Sequence, residues 1–198
     1  MNNALLPLDL NARIADLYNR MEESYNRVAG VLGFSCSGCD NNCCDSYFQH
    51  HTYIEWAYLW EGLNQLDKSR RVRLVAKARA NVTETEKLLA RGTDLQVMCP
   101  LNEAGRCTLY NYRLMICRMH GVPAFFTLPS GVRKDFPGCP RCQLPVAAYE
   151  GVAPAIDRTT LYQELAQLEQ EFRSLARQPP ARVKLTLSQM IVIGPPKL

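Results

Sequence analysis

The first apolar pattern along the chain covers residues 9–32, where apolar positions recur at alternating steps of three and four residues. This spacing is typical of a helix with one buried stripe. The stripe consists of Ile14, Leu17, Met21, Tyr25, Val28 and Leu32. Gly33 follows directly, so we expect the helix to end there.

A second helical frame is predicted over residues 46–91. Asp45 and Ser46 offer helix starts, and Thr52 and Glu55 have the spacing of a capping box. The aromatic residues of this region are interpreted as core, since large aromatic side chains are ordinary core material. They are Tyr47, Phe48, Tyr53, Trp56, Tyr58 and Trp60.

The last helix of this frame is expected from near Ser69 to Arg91, with Gly92 as its stop. Its predicted inner face consists of Val72, Val75, Val82 and Leu89.

A third helical frame is predicted over residues 154–177, closed by Pro179 and Pro180. Its apolar stripe consists of Leu161, Leu165, Leu168, Phe172 and Leu175. Residues 183–187 alternate like a strand, although residues 186–192 fit a helical turn equally well.

Residues 123–128 and 132–136 flank a turn, so they predict a small β-hairpin. At 198 residues the chain is long enough to close one sizeable core. The fold class is therefore predicted to be mostly α, a single helical domain over 1–198 with an irregular cysteine-rich centre and a small hairpin.

Nine cysteines lie between these frames, in the segments 36–44, 99–117 and 139–142. Both the first and the last segment contain a C-x2-C pair. All nine are candidate metal ligands: Cys36, Cys39, Cys43, Cys44, Cys99, Cys107, Cys117, Cys139 and Cys142. Structural zinc and a four-iron cluster each take four ligands, so two sites, or one site with spare thiols, are expected.

An iron–sulfur cluster is the favoured occupant because the candidate ligands are thiols throughout, and zinc is the alternative. Helix starts after Cys44 and at Thr108, next to Cys107, are expected to favour thiolates there. The Thr108 helix would extend through His120. His120 itself is interpreted as an ordinary histidine, because the thiols already suffice for four-coordinate metal.

The chain begins without a basic region leading into a long apolar segment, and no apolar run approaches the roughly 20 residues that span a bilayer. These features predict a cytoplasmic protein without a membrane partner. Persistent disulfides are rare in that reducing compartment, and an odd number of cysteines also argues against a disulfide framework.

The formal net charge of +4 is modest, although cations are concentrated over residues 68–79. Because no aromatic residues are interleaved with them for base stacking, we interpret this segment as a solvated helix face. Nucleic-acid binding is therefore expected to be weak at most, and a protein partner stays open.

No Ser/His/Asp pattern, P-loop or acid/base pair is evident, so catalytic residues are unassigned and non-catalytic binding leads. In an enzyme, Arg113, Arg118 and His120 would be candidate substrate-facing groups. A structural zinc interaction module is a further alternative.

The order and spacing of the first seven cysteines, with Arg113 and Arg118 on either side of Cys117, resemble the bacterial CxxCxxCC family of zinc- or iron-chelating proteins. The resemblance covers roughly residues 36–142 and implies that those seven cysteines bind metal, with Cys139 and Cys142 as downstream contributors. The family includes longer proteins that resemble flagellin lysine methylases with an iron–sulfur cluster, which implies an iron–sulfur-dependent enzyme as an alternative function.

Two positions depart from the family pattern. Three residues, Asp40, Asn41 and Asn42, separate Cys39 from the vicinal pair where the family usually has two, and Leu114 stands where proline is common. The division of the ligands between sites is therefore left open.

Overall fold

We describe a computed structural model of the chain over residues 5–36, 39, 43–178 and 180–197. Over these residues the structure is 55% helical, with seven helices and two small sheets, so the predicted mostly α class is confirmed. The predicted stop at Pro179 and the spacer over residues 40–42 lie outside the described residues.

The helices, in chain order, are α1 (Leu8–Val31), α2 (Tyr53–Asn64), α3 (Lys68–Arg91), α4 (Met115–Met119), α5 (Pro140–Ala147), α6 (Thr159–Ser174) and α7 (Leu187–Ile193). The strands are β1 (Asn102–Glu103), β2 (Arg106–Cys107), β3 (Ala124–Thr127), β4 (Arg133–Phe136) and β5 (Ile156–Asp157). Two short 3-10 turns cover Cys43–Asp45 and Tyr110–Tyr112.

The chain divides into two compact units, each assembled from separate segments. The first unit consists of Met1–Asn11, Asn42–Leu114 and Glu169–Leu198, and the second of Ala12–Asn41 and Met115–Leu168. The single domain over 1–198 stays a prediction.

The first unit has a core of aromatic and aliphatic side chains from α2, α3 and α7. Trp56 and Trp60 of α2 are buried, and both indole Nε1 groups donate to the carbonyl oxygen of Met190, over 3.1 and 3.0 Å. A buried indole requires such a partner, so α7 anchors both rings. The interpretation of Trp56 and Trp60 as core is confirmed.

The predicted helix start at Asp45 and Ser46 is wrong. Asp45 ends a 3-10 turn, and Ser46 forms an antiparallel bridge with Gln96. The helix begins only at Tyr53, where Thr52 donates its hydroxyl to Glu55 over 2.7 Å and caps no backbone amide. A complete capping box is present instead at the start of α7, between Thr186 and Gln189.

The inner face of α3 is also different from the prediction. Leu74 and Ala78, one helical turn apart, are buried, and the predicted Val75 packs partly buried against the core. Val72 and Leu89 were predicted on this face but are 60% and 49% exposed. A step of two residues rotates a helix position by about 200°, so Val72 and Leu74 lie on opposite faces. The predicted stop is confirmed, because Gly92 is the left-handed C-cap.

The second unit contains residues 12–31 of α1. Ile14, Leu17, Met21, Val28 and Leu32 are buried, which confirms the predicted stripe, and Gly33 has φ +58°. Tyr25 is the stripe residue that is only partly buried.

The predicted hairpin is confirmed as β3 and β4, with Ala124 paired to Phe136. The sequence did not indicate the parallel strand β5, which completes a three-stranded sheet in the order β4-β3-β5. The predicted helical frame 154–177 therefore begins too early, because β5 occupies its first turn and α6 begins at Thr159.

No helix within the described part of the chain is long and apolar enough to cross a membrane.

Candidate metal centre

The cysteines are distributed between the two units. The second unit contains Cys36, Cys39, Cys117, Cys139 and Cys142, and the first contains Cys43, Cys44, Cys99 and Cys107. All nine are free thiols, with Cys36 exposed and Cys142 buried. Each unit therefore has enough thiols for one four-coordinate metal site.

Both C-x2-C pairs of the second unit close a short backbone turn. The backbone amide of Cys39 donates to the carbonyl oxygen of Cys36 over 3.3 Å, and that of Cys142 donates to the carbonyl oxygen of Cys139 over 2.9 Å. In the second pair the turn is the start of α5, with Cys139 as N-cap and Pro140 next to it. The two pairs thus have the same hydrogen-bonded spacing.

Two glycines bring the second turn close to the segment after α4. The amide of Cys139 donates to the carbonyl oxygen of Gly121 over 2.9 Å, and a Cβ on Gly138 would lie 2.7 Å from that oxygen. Both glycines have positive φ, of +120° at Gly121 and +85° at Gly138. Glycine is therefore needed at both positions for this approach.

Tyr25 connects α1 to the thiols. Its hydroxyl oxygen lies 3.3 Å from the sulfur of Cys36. Burial raises the pKa of Tyr25, as do the hydrogen bond with Cys36 and the charges of Cys36, Cys139 and Cys142. The tyrosine hydroxyl therefore lies within electrostatic range of both C-x2-C pairs.

The same thiols influence Cys142. Its pKa is raised to about 11, first by burial and then by the charges of Cys139 and Cys36. Each thiolate that forms here makes the next one more costly. Cys36, Cys139 and Cys142 are therefore stable together either as neutral thiols or as thiolates around a bound cation.

Cys117 lies in α4, followed by two of the candidate substrate-facing groups. Arg118 is only 4% exposed, pairs with Glu22 over 3.0 Å and lies over the ring of Tyr18. These contacts favour a structural role for Arg118, and its candidacy for substrate contact stays a prediction. The pKa of the half-buried His120 is lowered by burial and then by the charge of Arg158.

In the first unit, backbone pairing brings the vicinal cysteines to the second cysteine block. The amide of Cys99 donates to the carbonyl oxygen of Cys44 over 2.8 Å. The carbonyl oxygen of Cys99 accepts from the amide of Asn102 over 3.0 Å, and Asn102 pairs with Cys107 across β1 and β2. Three cysteine backbones thus share one small network.

Cys44 is the acidic thiol of this network, with a pKa lowered to about 6. The principal cause is a hydrogen bond with Cys43, and the side-chain amide of Asn102 and the charge of Arg113 also lower this pKa. Burial and the charge of Asp45 raise it.

The predicted helix starts beside Cys44 and Cys107 are wrong. Cys44 is inside a 3-10 turn and Cys107 is in β2, while the segment from Thr108 to His120 contains only a 3-10 turn and α4. Arg113, the third candidate substrate-facing group, lies 3.6 Å above the ring of Tyr110. Side-chain donors and Arg113 therefore replace the expected helix dipole at Cys44.

Four thiols on two C-x2-C turns fit zinc or an iron–sulfur cluster in donor chemistry. In the described ranges, however, no group of three or more histidine, cysteine, aspartate or glutamate side chains is already arranged to hold a metal ion. The donor set is thus suitable, and its sulfurs are not gathered in coordination geometry.

Comparison of the chain with family models, curated proteins and solved structures gave no match. The resemblance to the CxxCxxCC family therefore depends on its cysteine motifs and the two nearby arginines alone.

Nothing in the sequence motifs indicates Tyr25, Gly121 or Gly138 as parts of this site. Tyr25 was assigned to the apolar stripe by its spacing, although its hydroxyl is a polar group that needs a partner when buried. The C-x2-C motifs contain no information about α1, so this contact depends on tertiary structure.

Proposed function

We propose that this protein is a metal-binding protein of the cytoplasm and that Cys36, Cys39, Cys139 and Cys142 hold its metal centre. An iron–sulfur cluster is the proposed occupant, and zinc is the alternative. The resemblance to the CxxCxxCC family supports the same function.

One observation carries the proposal: two C-x2-C pairs distant in sequence belong to the same compact unit. The hydroxyl of Tyr25 contacts Cys36 of one pair and lies beside Gly121, whose carbonyl oxygen accepts the amide of Cys139 in the other. Each pair closes a hydrogen-bonded turn that keeps its two cysteines near each other. Four thiolates on two such turns are a ligand set used by zinc and by iron–sulfur clusters.

The sulfurs would move together when metal binds. Cys36 is exposed and Cys39 and Cys139 are half-buried, so small side-chain rotations meet little packing resistance. Because metal binding requires deprotonated thiols, the metal must displace their protons, including that of Cys142. The metal charge would offset the mutual repulsion of the thiolates.

The four cysteines of the first unit stay predicted ligands, which would serve a second centre or act as thiols. Cys117 of the second unit also stays a predicted ligand. A protein partner stays open, and we propose that any nucleic-acid binding through α3 is weak, since Arg70 and Lys77 already lie near Glu103.

Analysis of protein purified without oxygen tests the proposal. We expect iron and acid-labile sulfide in stoichiometric amounts, with a visible absorption that is lost on reduction. If the protein contains one or two equivalents of zinc and no sulfide, and reconstitution with iron and sulfide does not change this, zinc is the occupant of the site. Protein without bound metal after both preparations would overturn the proposed function.

A further inference from the structure

The Tyr25 hydroxyl is a polar group placed among the proposed ligands. It lies 3.3 Å from the Cys36 sulfur, within the distance of a hydrogen bond to sulfur. With a protonated thiol, either atom can be the donor. A metal-bound thiolate has no proton, so the hydroxyl would then have to donate.

The backbone around the tyrosine fits its hydroxyl closely. A Cβ on Gly121 would lie 2.9 Å from the Tyr25 hydroxyl oxygen. The carbonyl oxygen of that same glycine accepts the amide of Cys139. Gly121 therefore lies between the tyrosine and the second C-x2-C turn, and it leaves room for both contacts.

We propose that Tyr25 is a positioning residue of the metal centre, whose hydroxyl donates a hydrogen bond to the metal-bound sulfur of Cys36. This inference rests on the proposed function. Partners of this kind orient a ligand and adjust its basicity, and their loss typically costs about 10–100-fold in metal affinity. If the Tyr25 ring only filled space, removal of its hydroxyl would leave the metal affinity unchanged.

Titration with cobalt(II) tests the proposal, because cobalt bound to thiolates has sulfur-to-metal charge-transfer bands. We expect Tyr25→Phe to bind cobalt about 10–100-fold more weakly than the unmodified protein. We also expect its charge-transfer band at longer wavelength, because a sulfur that loses a hydrogen bond gives up electron density more easily. This spectral shift separates a contact with the ligand from a loss of packing.

Tyr162→Phe is the matched control. The Tyr162 hydroxyl lies in the second unit as well, but it accepts a hydrogen bond from Arg158 over 3.3 Å and its partner is not a thiol. We expect this variant to keep both the cobalt affinity and the band position. Tyr25→Phe removes no carbon atom, so we expect the circular dichroism of the metal-free variant to match that of the unmodified protein.

The outcomes are distinguishable. If the unmodified protein binds cobalt and Tyr25→Phe has the same affinity and spectrum, the role of Tyr25 is wrong and the proposed function stands. If the two tyrosine variants change equally, the effect is general to the unit and the role of Tyr25 is again wrong. If the unmodified protein binds neither cobalt nor, on reconstitution, iron with sulfide, the proposed function fails and the inference fails with it. If it binds only the reconstituted cluster, the same comparison of Tyr25→Phe with Tyr162→Phe is made on the cluster content and its visible charge-transfer bands.

Discussion

The thiols of the two units lie in opposite environments. In the second unit, Cys142 is buried beside other thiols and its pKa is raised to about 11. In the first unit, Cys44 has donors and a nearby arginine, and its pKa is lowered to about 6. A cation that replaced the protons would therefore stabilise the thiolates of the second unit. Cys44 of the first unit is already a thiolate at neutral pH.

This contrast shows that cysteine spacing does not determine cysteine chemistry. Cys43 and Cys44 belong to the same sequence motif as Cys36 and Cys39, but the structure places them in another unit. Beside burial and near neighbours in the sequence, each thiol pKa also has contributions from distant positions, Asn102 and Arg113 at Cys44 and Cys36 at Cys142.

The largest expected effect is that of metal removal. Binding to native thiolates is folding free energy, on the order of 10 kcal/mol for structural zinc peptides. We expect a chelator that strips the metal to lower the free energy of unfolding strongly, with amide protection lost first in residues 115–168. Denaturant unfolding with hydrogen exchange measures both, and stripped protein that kept its full stability would contradict a structural role of the metal.

A smaller loss is expected from the hydrophobic core of the first unit. Leu59 is fully buried there, and replacing a buried leucine by alanine typically costs about 2–5 kcal/mol. We expect Leu59→Ala to lower the free energy of unfolding by that amount and to keep the metal content. The exposed Leu144→Ala is the control, with little effect on either quantity. Loss of metal in Leu59→Ala alone would show that the centre depends on the first core.

The two acidities can be compared by alkylation of the metal-free protein. We expect iodoacetamide to modify Cys44 with a midpoint near pH 6. Cys142 should stay unmodified across neutral pH, both because its pKa is high and because it is fully buried.

Substitutions around Cys44 sharpen this test, which is followed by mass spectrometry. Cys43→Ala, which removes the principal donor, should raise the Cys44 midpoint more than Arg113→Gln does. A midpoint for Cys44 near the ordinary thiol value of 9.0 would remove the contrast between the units.

The smallest predicted effect concerns His50 of the first unit. Burial lowers its pKa, with a smaller opposing effect from Glu55 and a further lowering by His51. At a pH below the ordinary histidine pKa of 6.5, His50 is protonated in the unfolded chain and stays neutral in the folded chain. The stability should therefore decrease as the pH falls below this value.

His50→Gln should flatten that dependence in denaturant unfolding from pH 5 to pH 8. Glu169 acts in the opposite sense, because its pKa is raised, mainly by burial; comparison with the unmodified protein cancels its contribution. An unchanged slope in His50→Gln would contradict the assigned burial effect.

The sequence predicted those parts of the fold that depend on local periodicity. The stripe of α1, the stop at Gly92 and the β3–β4 hairpin are all determined by residues close together in the chain. The face of α3 was misassigned because valines at similar spacing lie on both sides of the helix, and only packing selects Leu74 and Ala78. Strand β5 was missed because two residues are too few for a periodic signal.

The candidate site was predicted only as a set of thiols. Spacing identifies each C-x2-C pair, but it contains no information on which pairs meet. Tertiary structure determines the rest: the division into two units, the contact of Tyr25 with Cys36, and the close backbone approach at Gly121 and Gly138.

The central claim is that the two C-x2-C turns of the second unit hold the metal centre. The most direct test is the metal and sulfide content of two single variants purified without oxygen, Cys139→Ser and Cys44→Ser, each at a half-buried position. We expect Cys139→Ser to lose the centre and Cys44→Ser to retain it. A centre retained in Cys139→Ser and lost in Cys44→Ser would contradict the assignment.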